Sequence, residues 1–233
     1  MSLKLHWDGE THVFDADPNN PETLHFQATV KIRLNPSVFI VEGDNEHGGY
    51  AALKMARDEN EIGYLEKEAS LYTHELVPLQ GKHVPGFYGL FYGHVLGSRV
   101  ACMLLEFCPG GKIEVCELEE MNRQVMLAGI ALHKAGLIHN DLLDGHHFIH
   151  SGKSVRIVDF SLAMPHKCLS GTPVLYEGAN PMGCRELMAL ENAYGMFSGD
   201  KIPVANRLFA NPFAEGMPLH RIGQRFVGMV MPQ

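Results

Sequence analysis

The sequence predicts an α+β fold in two parts, a five-stranded antiparallel sheet with one helix followed by a short, mostly helical region. Three observations predict it: strict two-residue alternation early in the chain, apolar residues at helical spacing in two later stretches, and the breaker Pro109-Gly110-Gly111 between those stretches. The 233 residues, 45% hydrophobic and 20% charged, suffice to bury the core of one domain or of two packed lobes.

From Phe26 to Leu34, apolar Phe26, Ala28, Val30, Ile32 and Leu34 alternate with Gln27, Thr29, Lys31 and Arg33, the period of a half-buried strand. Asn35-Pro36 turns the chain, and Val38 to Val41 and Tyr50 to Ala56 read as the next two strands across a turn-rich segment from Gly43 to Gly49. Ile62, Leu65, Ala69, Tyr72 and Leu76 recur at three- and four-residue steps, so a helix with one buried stripe is expected, closed by Pro78. Phe87 to Val95 and Arg99 to Phe107 are two further strands around Leu96-Gly97-Ser98. A helix over about Glu119 to Lys134 follows, apolar on nearly every side from Val125 to Leu132 and ended by Gly136. Leu137-Ile138, Phe148-Ile149 and Val155 to Phe160 read as short strands, and Gly183 to Tyr194 as a last helix. The expected division is a first lobe over 1–107, a hinge over 108–112 and a second, truncated lobe over 113–233.

Nineteen Lys and Arg against 27 Asp and Glu give a formal charge of -8, which argues against a nucleic-acid backbone or an anionic membrane as the main partner. Lys4, Asp8 and Glu10 interrupt the start of the chain, so no signal peptide is expected there, and no apolar run is long enough to span a bilayer. The five cysteines, Cys102, Cys108, Cys116, Cys168 and Cys184, are odd in number and contain no C-x-x-C, so a reducing, intracellular setting is expected.

The most informative segment runs from Leu132 through His139-Asn140-Asp141-Leu142 to Val158-Asp159-Phe160-Ser161. It sets one carboxylate in a loop after a buried helix and another at a strand end, with a tight hairpin between. Here the chain resembles the protein-kinase superfamily, with its H-R-D-x-x-x-x-N catalytic loop and D-F-G metal loop. Ala51-Ala52-Leu53-Lys54 is similar to the V-A-I-K strand, Glu68 with Tyr72 to the acidic helix that pairs with that lysine, and Leu104-Leu105-Glu106-Phe107 to the strand entering the hinge. The order and context of these motifs agree from about Val30 to Phe160.

The resemblance implies a two-lobed protein-kinase-like fold, ATP as cofactor and a divalent metal, magnesium or manganese. It assigns Lys54 to the α- and β-phosphates, Glu68 to aiming that ammonium, Asp159 to the metal, and Asp141 to the acceptor hydroxyl and its proton. Leu105 would control access behind the adenine, with backbone groups of Glu106, Phe107 and Cys108 reading the base edge. A lone lysine in a strand is usually solvated, and Glu61, Glu66 and Glu75 compete with Glu68 for the pairing. His139, His146, His147 and His150 could suggest a transition-metal cluster. The resemblance instead makes His139 structural and sets His146 where the family has its second metal-binding asparagine. Imidazole is softer than an amide oxygen, which shifts the expected preference toward manganese. His166, Cys168 and Cys184 form a second soft set, but three ligands lack a fourth, and buried thiols are the expectation.

Four positions depart from the family. The first turn, Asn35-Pro36-Ser37, has no glycine to cover phosphates; Asn140 replaces an arginine, Leu143 a lysine, and Ser161 the glycine after Asp159-Phe160. No A-P-E follows. His146-His147-Phe148, His166-x-Cys168 and Cys184-Arg185-Glu186-Leu187 are similar to compact kinase-like proteins of mushroom-forming fungi. Three functions follow: a kinase for protein Ser or Thr hydroxyls, a pseudokinase that binds nucleotide or acts as a scaffold, and a small-molecule kinase of the aminoglycoside or choline type. The acceptor is accordingly a protein or a small molecule.

Overall fold

The structure, a computed structural model, describes residues 2–19, 25–43, 49–111, 114, 117–142, 146–151, 154–168 and 184–194. Leu143, Cys116, the turn residues 44–48 and 152–153, hinge residue 112 and the tail 201–233 lie outside the described residues. The chain divides into two compact units, one holding Met1–Thr73 with Gly86–Phe107, the other His74–Pro85 with the described residues from Cys108 onward.

The first unit is a closed barrel. Its strands are β1 (Ser2–Trp7), β2 (Glu10–Ala16), β3 (Phe26–Arg33), β4 (Val38–Gly43), β5 (Tyr50–Ala56), β6 (Phe87–Val95) and β7 (Ser98–Glu106), and helix α1 (Glu59–Thr73) follows β5. The barrel order is β1-β2-β6-β7-β5-β4-β3, closed by a parallel pairing of β1 with β3 that matches Leu3 to Phe26 and Leu5 to Ala28. The expected two-lobed, protein-kinase-like fold with a five-stranded antiparallel sheet is thereby corrected: seven strands close on themselves in a mixed barrel.

The reason lies in the first sixteen residues. Leu3, Leu5 and Phe14 alternate with polar neighbours and are wholly buried in the barrel core. Asp8 and Gly9 both take positive φ, 50° and 81°, the backbone of a two-residue hairpin turn whose twist matches the flanking strands. That hairpin supplies the two extra strands. At the β2–β6 seam Gly93 is needed, because an added Cβ would lie 2.6 Å from Phe14 Cδ1 and 2.9 Å from the Val13 carbonyl oxygen.

The second unit replaces the expected mostly helical lobe. Its described residues hold helices α2 (Leu118–Lys134) and α3 (Arg185–Tyr194) beside two small antiparallel sheets. In one sheet β8 (Leu137–Ile138) pairs with β11 (Met164–Pro165); in the other β9 (Phe148–Ser151) pairs with β10 (Ser154–Ile157). Helix α2 buries Met121, Val125, Ala128 and Leu132 while Leu127 stays 39% exposed, so the helix expected to be apolar on nearly every side is buried along one stripe, and it stops at Gly136 with φ 86°. Gly129 lets α3 approach, since a Cβ there would meet Leu190 Cδ1 at 2.8 Å. Arg156 of β10 donates to the carbonyls of Gly81 and Lys82, tying the 74–85 segment to this unit. Among the described residues, no helix is long and apolar enough to cross a membrane.

Candidate functional site

In the barrel unit, Asp58 starts helix α1 by accepting the N–H groups of Asn60 and Glu61, each at 2.9 Å, and Glu61 reaches back to the Arg57 N–H at 3.0 Å. The helix buries Ile62, Leu65, Ala69 and Tyr72 along one stripe, and Glu68 falls on the same stripe. A carboxylate 1% exposed needs compensation. Lys54 of β5 provides it, with Nζ 2.6 Å from Glu68 Oε2. Two of the competing acids are engaged elsewhere: Glu61 at the helix start, and Glu66 with the Tyr92 hydroxyl at 2.9 Å. The lysine side chain is 21% exposed.

Leu105 is buried near the end of β7. The Glu106 N–H donates to the Gly86 carbonyl at 2.8 Å, while its carboxylate accepts the Gly86 N–H at 2.9 Å. That Glu106 N–H is therefore already used. Phe107 packs edge-on against Tyr50, with ring centroids 6.0 Å apart. The β3–β4 turn is closed by Asn35, whose Oδ1 accepts the N–H groups of Ser37 and Val38 at 2.8 Å each. Those two donors do not face outward as a glycine-rich phosphate cover would.

In the second unit, Cys108 is buried, and the loop after β8 carries His139, Asn140 and Asp141. His139 is wholly buried and donates from Nε2 to the Val158 carbonyl at 3.1 Å, with its ring against Phe160 at 5.1 Å. Burial holds its pKa below the usual imidazole range, against the opposing pull of that carbonyl. Asn140 takes φ 69° and donates from Nδ2 to the Leu162 carbonyl at 3.0 Å. Underneath sits Glu186 of α3. It accepts the His139 N–H at 3.1 Å, the Asn140 N–H at 2.7 Å and His133 Nε2–H at 2.9 Å. Burial pushes the Glu186 pKa up, but these donors outweigh it and hold the carboxyl below its usual range.

Asp141 meets His147, whose Nε2 lies 3.0 Å from Asp141 Oδ2. His146, the residue singled out for metal, is exposed in the turn before β9. Asp159 takes φ 65° and ψ 75°, and its carboxylate accepts the Ser161 N–H at 3.4 Å, capping the short 3-10 turn Phe160–Leu162. With serine in place of glycine at 161, the left-handed residue is Asp159 itself, a residue type that tolerates it.

The structure thus pairs Lys54 with Glu68 and Asp141 with His147. Three participants escaped the sequence reading: Glu186 beneath the loop, His147 beside Asp141, and His133, which joins the soft set of His166, Cys168 and Cys184. The adjacent signals were the Cys184-Arg185-Glu186-Leu187 motif and the histidine run from 139 to 150; the partners of Glu186 lie 46 to 53 positions away, whereas His147 and Asp141 are six positions apart within the run.

No family model matches the chain. It is 23% identical over 195 residues to serine/threonine-protein kinase KIPK2 of Arabidopsis thaliana, a match covering 78% of this chain and 20% of that protein. Serine/threonine-protein kinase KIPK1 of the same plant is 24% identical over 109 residues, 42% of this chain and 11% of that protein. A protein kinase of Oryza sativa subsp. indica is 24% identical over 107 residues, 41% of this chain and 18% of that protein. The chain therefore spans a fifth or less of the length of these relatives. Its similarity to plant serine/threonine kinases is distant and partial.

Proposed function

We propose that this chain is a kinase-like phosphotransferase that binds ATP with a divalent metal and transfers phosphate to a Ser or Thr hydroxyl. The buried Lys54–Glu68 pair carries the reading. A carboxylate inside the packing of α1 that aims one partly exposed ammonium is costly to keep, and it suits a phosphate ligand that shares the ammonium. Asp159 would hold magnesium, or manganese with help from His146, and Asp141 would orient the acceptor. Leu105 to Cys108 would line the base, with the Glu106 N–H excluded because Gly86 uses it. The partial likeness to serine/threonine kinases favours a hydroxyl acceptor on a protein, the net charge of -8 disfavours a nucleic-acid or anionic-membrane partner, and the cysteine pattern suits a reducing compartment. The fungal likeness rests on the His146-His147-Phe148 and Cys184-Arg185-Glu186-Leu187 motifs.

A second reading, nucleotide binding without turnover, is favoured by the Asn35 turn, whose N–H donors are used internally, and by His147 on the Asp141 carboxylate. Melting temperatures with ATP alone, with magnesium and with manganese separate the readings, each variant being compared with its own ligand-free value. Ligand at a hundred times its Kd stabilises by about 2.7 kcal/mol. A metal-dependent rise is expected, absent in Lys54→Met and lacking its metal component in Asp159→Ala. Phosphate transfer to a peptide panel then supports the kinase reading, and transfer only to amino alcohols redirects it to a small-molecule acceptor. Binding without transfer leaves the second reading. No rise with any metal would sink both.

A further inference from the structure

The geometry points to a second site in this protein, a four-ligand zinc centre formed by His133, His166, Cys168 and Cys184. One ligand atom from each lies within 4.8 Å of all the others. Tetrahedral zinc with bonds of about 2.0–2.3 Å needs ligand atoms about 3.3–3.8 Å apart, so closure asks for an inward shift of about 1 Å. His166 and Cys168 with Cys184 are one ligand short in the sequence. Helix α2 supplies the fourth.

The ligands come from three places in the second unit: the end of α2, the segment after β11 and the residue before α3. His133 lies in the last turn of α2. The β8–β11 pairing and the His166 N–H bond to the Gly136 carbonyl, 2.7 Å, bring the 166–168 segment to that helix end. Cys184 immediately precedes α3, its carbonyl accepting the Met188 N–H at 2.9 Å.

Two independent observations mark the cluster as a ligand set. His166 Nε2 is buried with no hydrogen-bond partner, a costly state for a ring nitrogen unless a metal or proton donor occupies the space before it. His133 is already prepared. Because a carboxylate only accepts, Nε2 carries the proton toward Glu186 Oε1, and Nδ1 is left with its lone pair 3.6 Å from Cys184 Sγ. A carboxylate behind a histidine that faces thiols is the outer-shell arrangement that orients imidazole ligands of zinc. His133, His166 and Cys168 also line an open cavity of about 580 Å³, which gives the ion a way in.

Two thiolates and two imidazoles select zinc over magnesium or calcium, which take oxygen. Four protein ligands leave no open position, so the role is structural. The centre would clamp the end of α2 to the start of α3. Through Glu186 it reaches the N–H groups of His139 and Asn140, and so steadies the loop that carries Asp141.

The test uses the full chain purified under reducing conditions and does not depend on nucleotide. Metal content should show one zinc per chain. Cobalt added to the stripped protein should give a thiolate-to-cobalt charge-transfer band with tetrahedral d–d absorption. Cys168→Ser should weaken the charge-transfer band, loss of both Cys168 and Cys184 should abolish it, and His166→Gln should weaken cobalt affinity. Glu186→Gln should weaken it about ten- to a hundredfold while keeping the spectrum's shape. Cys102→Ser, in the barrel core, should change nothing. The site is refuted if folded, reduced wild type binds neither zinc nor cobalt, if the spectrum survives loss of both Cys168 and Cys184, or if rapid alkylation finds these two joined as a disulfide. Because the readout is on wild type first, a variant that fails to fold does not protect the proposal.

Discussion

Glu68 in the barrel unit and Glu186 in the second unit are both buried carboxylates, 1% and 7% exposed, and the chain compensates them in different ways. Glu68 pairs with the Lys54 ammonium, whose side chain is 21% exposed. Glu186 faces three hydrogen-bond donors, two of them backbone N–H groups of one loop. A cation can be shared with an incoming anion without breaking the pair, so the barrel arrangement is suited to a ligand. Backbone donors belong to the chain, and their acceptor is a strut. The same buried residue type is thus compensated by a side-chain cation in one unit and mainly by loop backbone in the other.

The strongest way to break this contrast is to remove the cation. Lys54→Met should cost about 3–5 kcal/mol, because it leaves the Glu68 carboxylate inside the packing of α1 without the ammonium. The double variant Lys54→Met with Glu68→Leu should recover most of that loss, since a hydrophobic pair of similar volume is often as stable as a buried ion pair. Urea denaturation of the two variants and wild type measures it. If the double variant is no more stable than the single one, the penalty is packing around Lys54 and the electrostatic account of the barrel carboxylate fails.

Glu186→Gln is expected to be milder, about 1–3 kcal/mol, because it leaves no uncompensated charge: the amide oxygen keeps part of the donor set, and the cost is the N–H that loses its acceptor and faces the NH2. The backbone amides should report it first: hydrogen exchange at His139 and Asn140 should quicken while exchange in the barrel strands stays at its wild-type rate. Uniform quickening in both units would show that Glu186 supports stability at large and not the loop.

Much of this arrangement was legible from residue spacing, and the parts that were not share one property. Strands β3 to β7 and helices α1 and α2 announce themselves within their own windows, through the alternation of Phe26 to Leu34 and the stripe from Ile62 to Tyr72. The β1–β2 hairpin was also locally encoded, in Leu3, Leu5, Phe14 and the Asp8-Gly9 turn, but Lys4, Asp8 and Glu10 entered the sequence reading only as charges that exclude a signal peptide. What turns it into barrel wall is pairing with β3 and β6, beyond any local window. The site divides likewise. Lys54 and Glu68 lie 14 positions apart and were named together, whereas Glu186 bonds His133 across 53 positions and no short motif joins them.

The smallest expected effect separates backbone strain the fold uses from strain it merely tolerates. Four described residues other than glycine take positive φ: Asp8 and Leu96 at barrel hairpin tips, Asn140 and Asp159 in the second unit. The latter two have their side chains hydrogen-bonded where they stand, Asn140 to the Leu162 carbonyl and Asp159 to the Ser161 N–H. Leu96 has no such reason. It is 95% exposed, at φ 50°, and followed by Gly97 at φ 80°, a two-residue turn that prefers asparagine in the first position. Leu96→Asn should therefore stabilise the chain by about 0.5–1 kcal/mol, by easing the left-handed backbone. The converse change, Asn140→Leu, meets the same backbone requirement and also forfeits a hydrogen bond, so it should destabilise. Equal and opposite shifts in the urea midpoint would mean that backbone preference alone accounts for both positions. A larger loss at Asn140 is the expected result, and its excess over the Leu96 gain measures what the second unit adds by bonding the side chain in place.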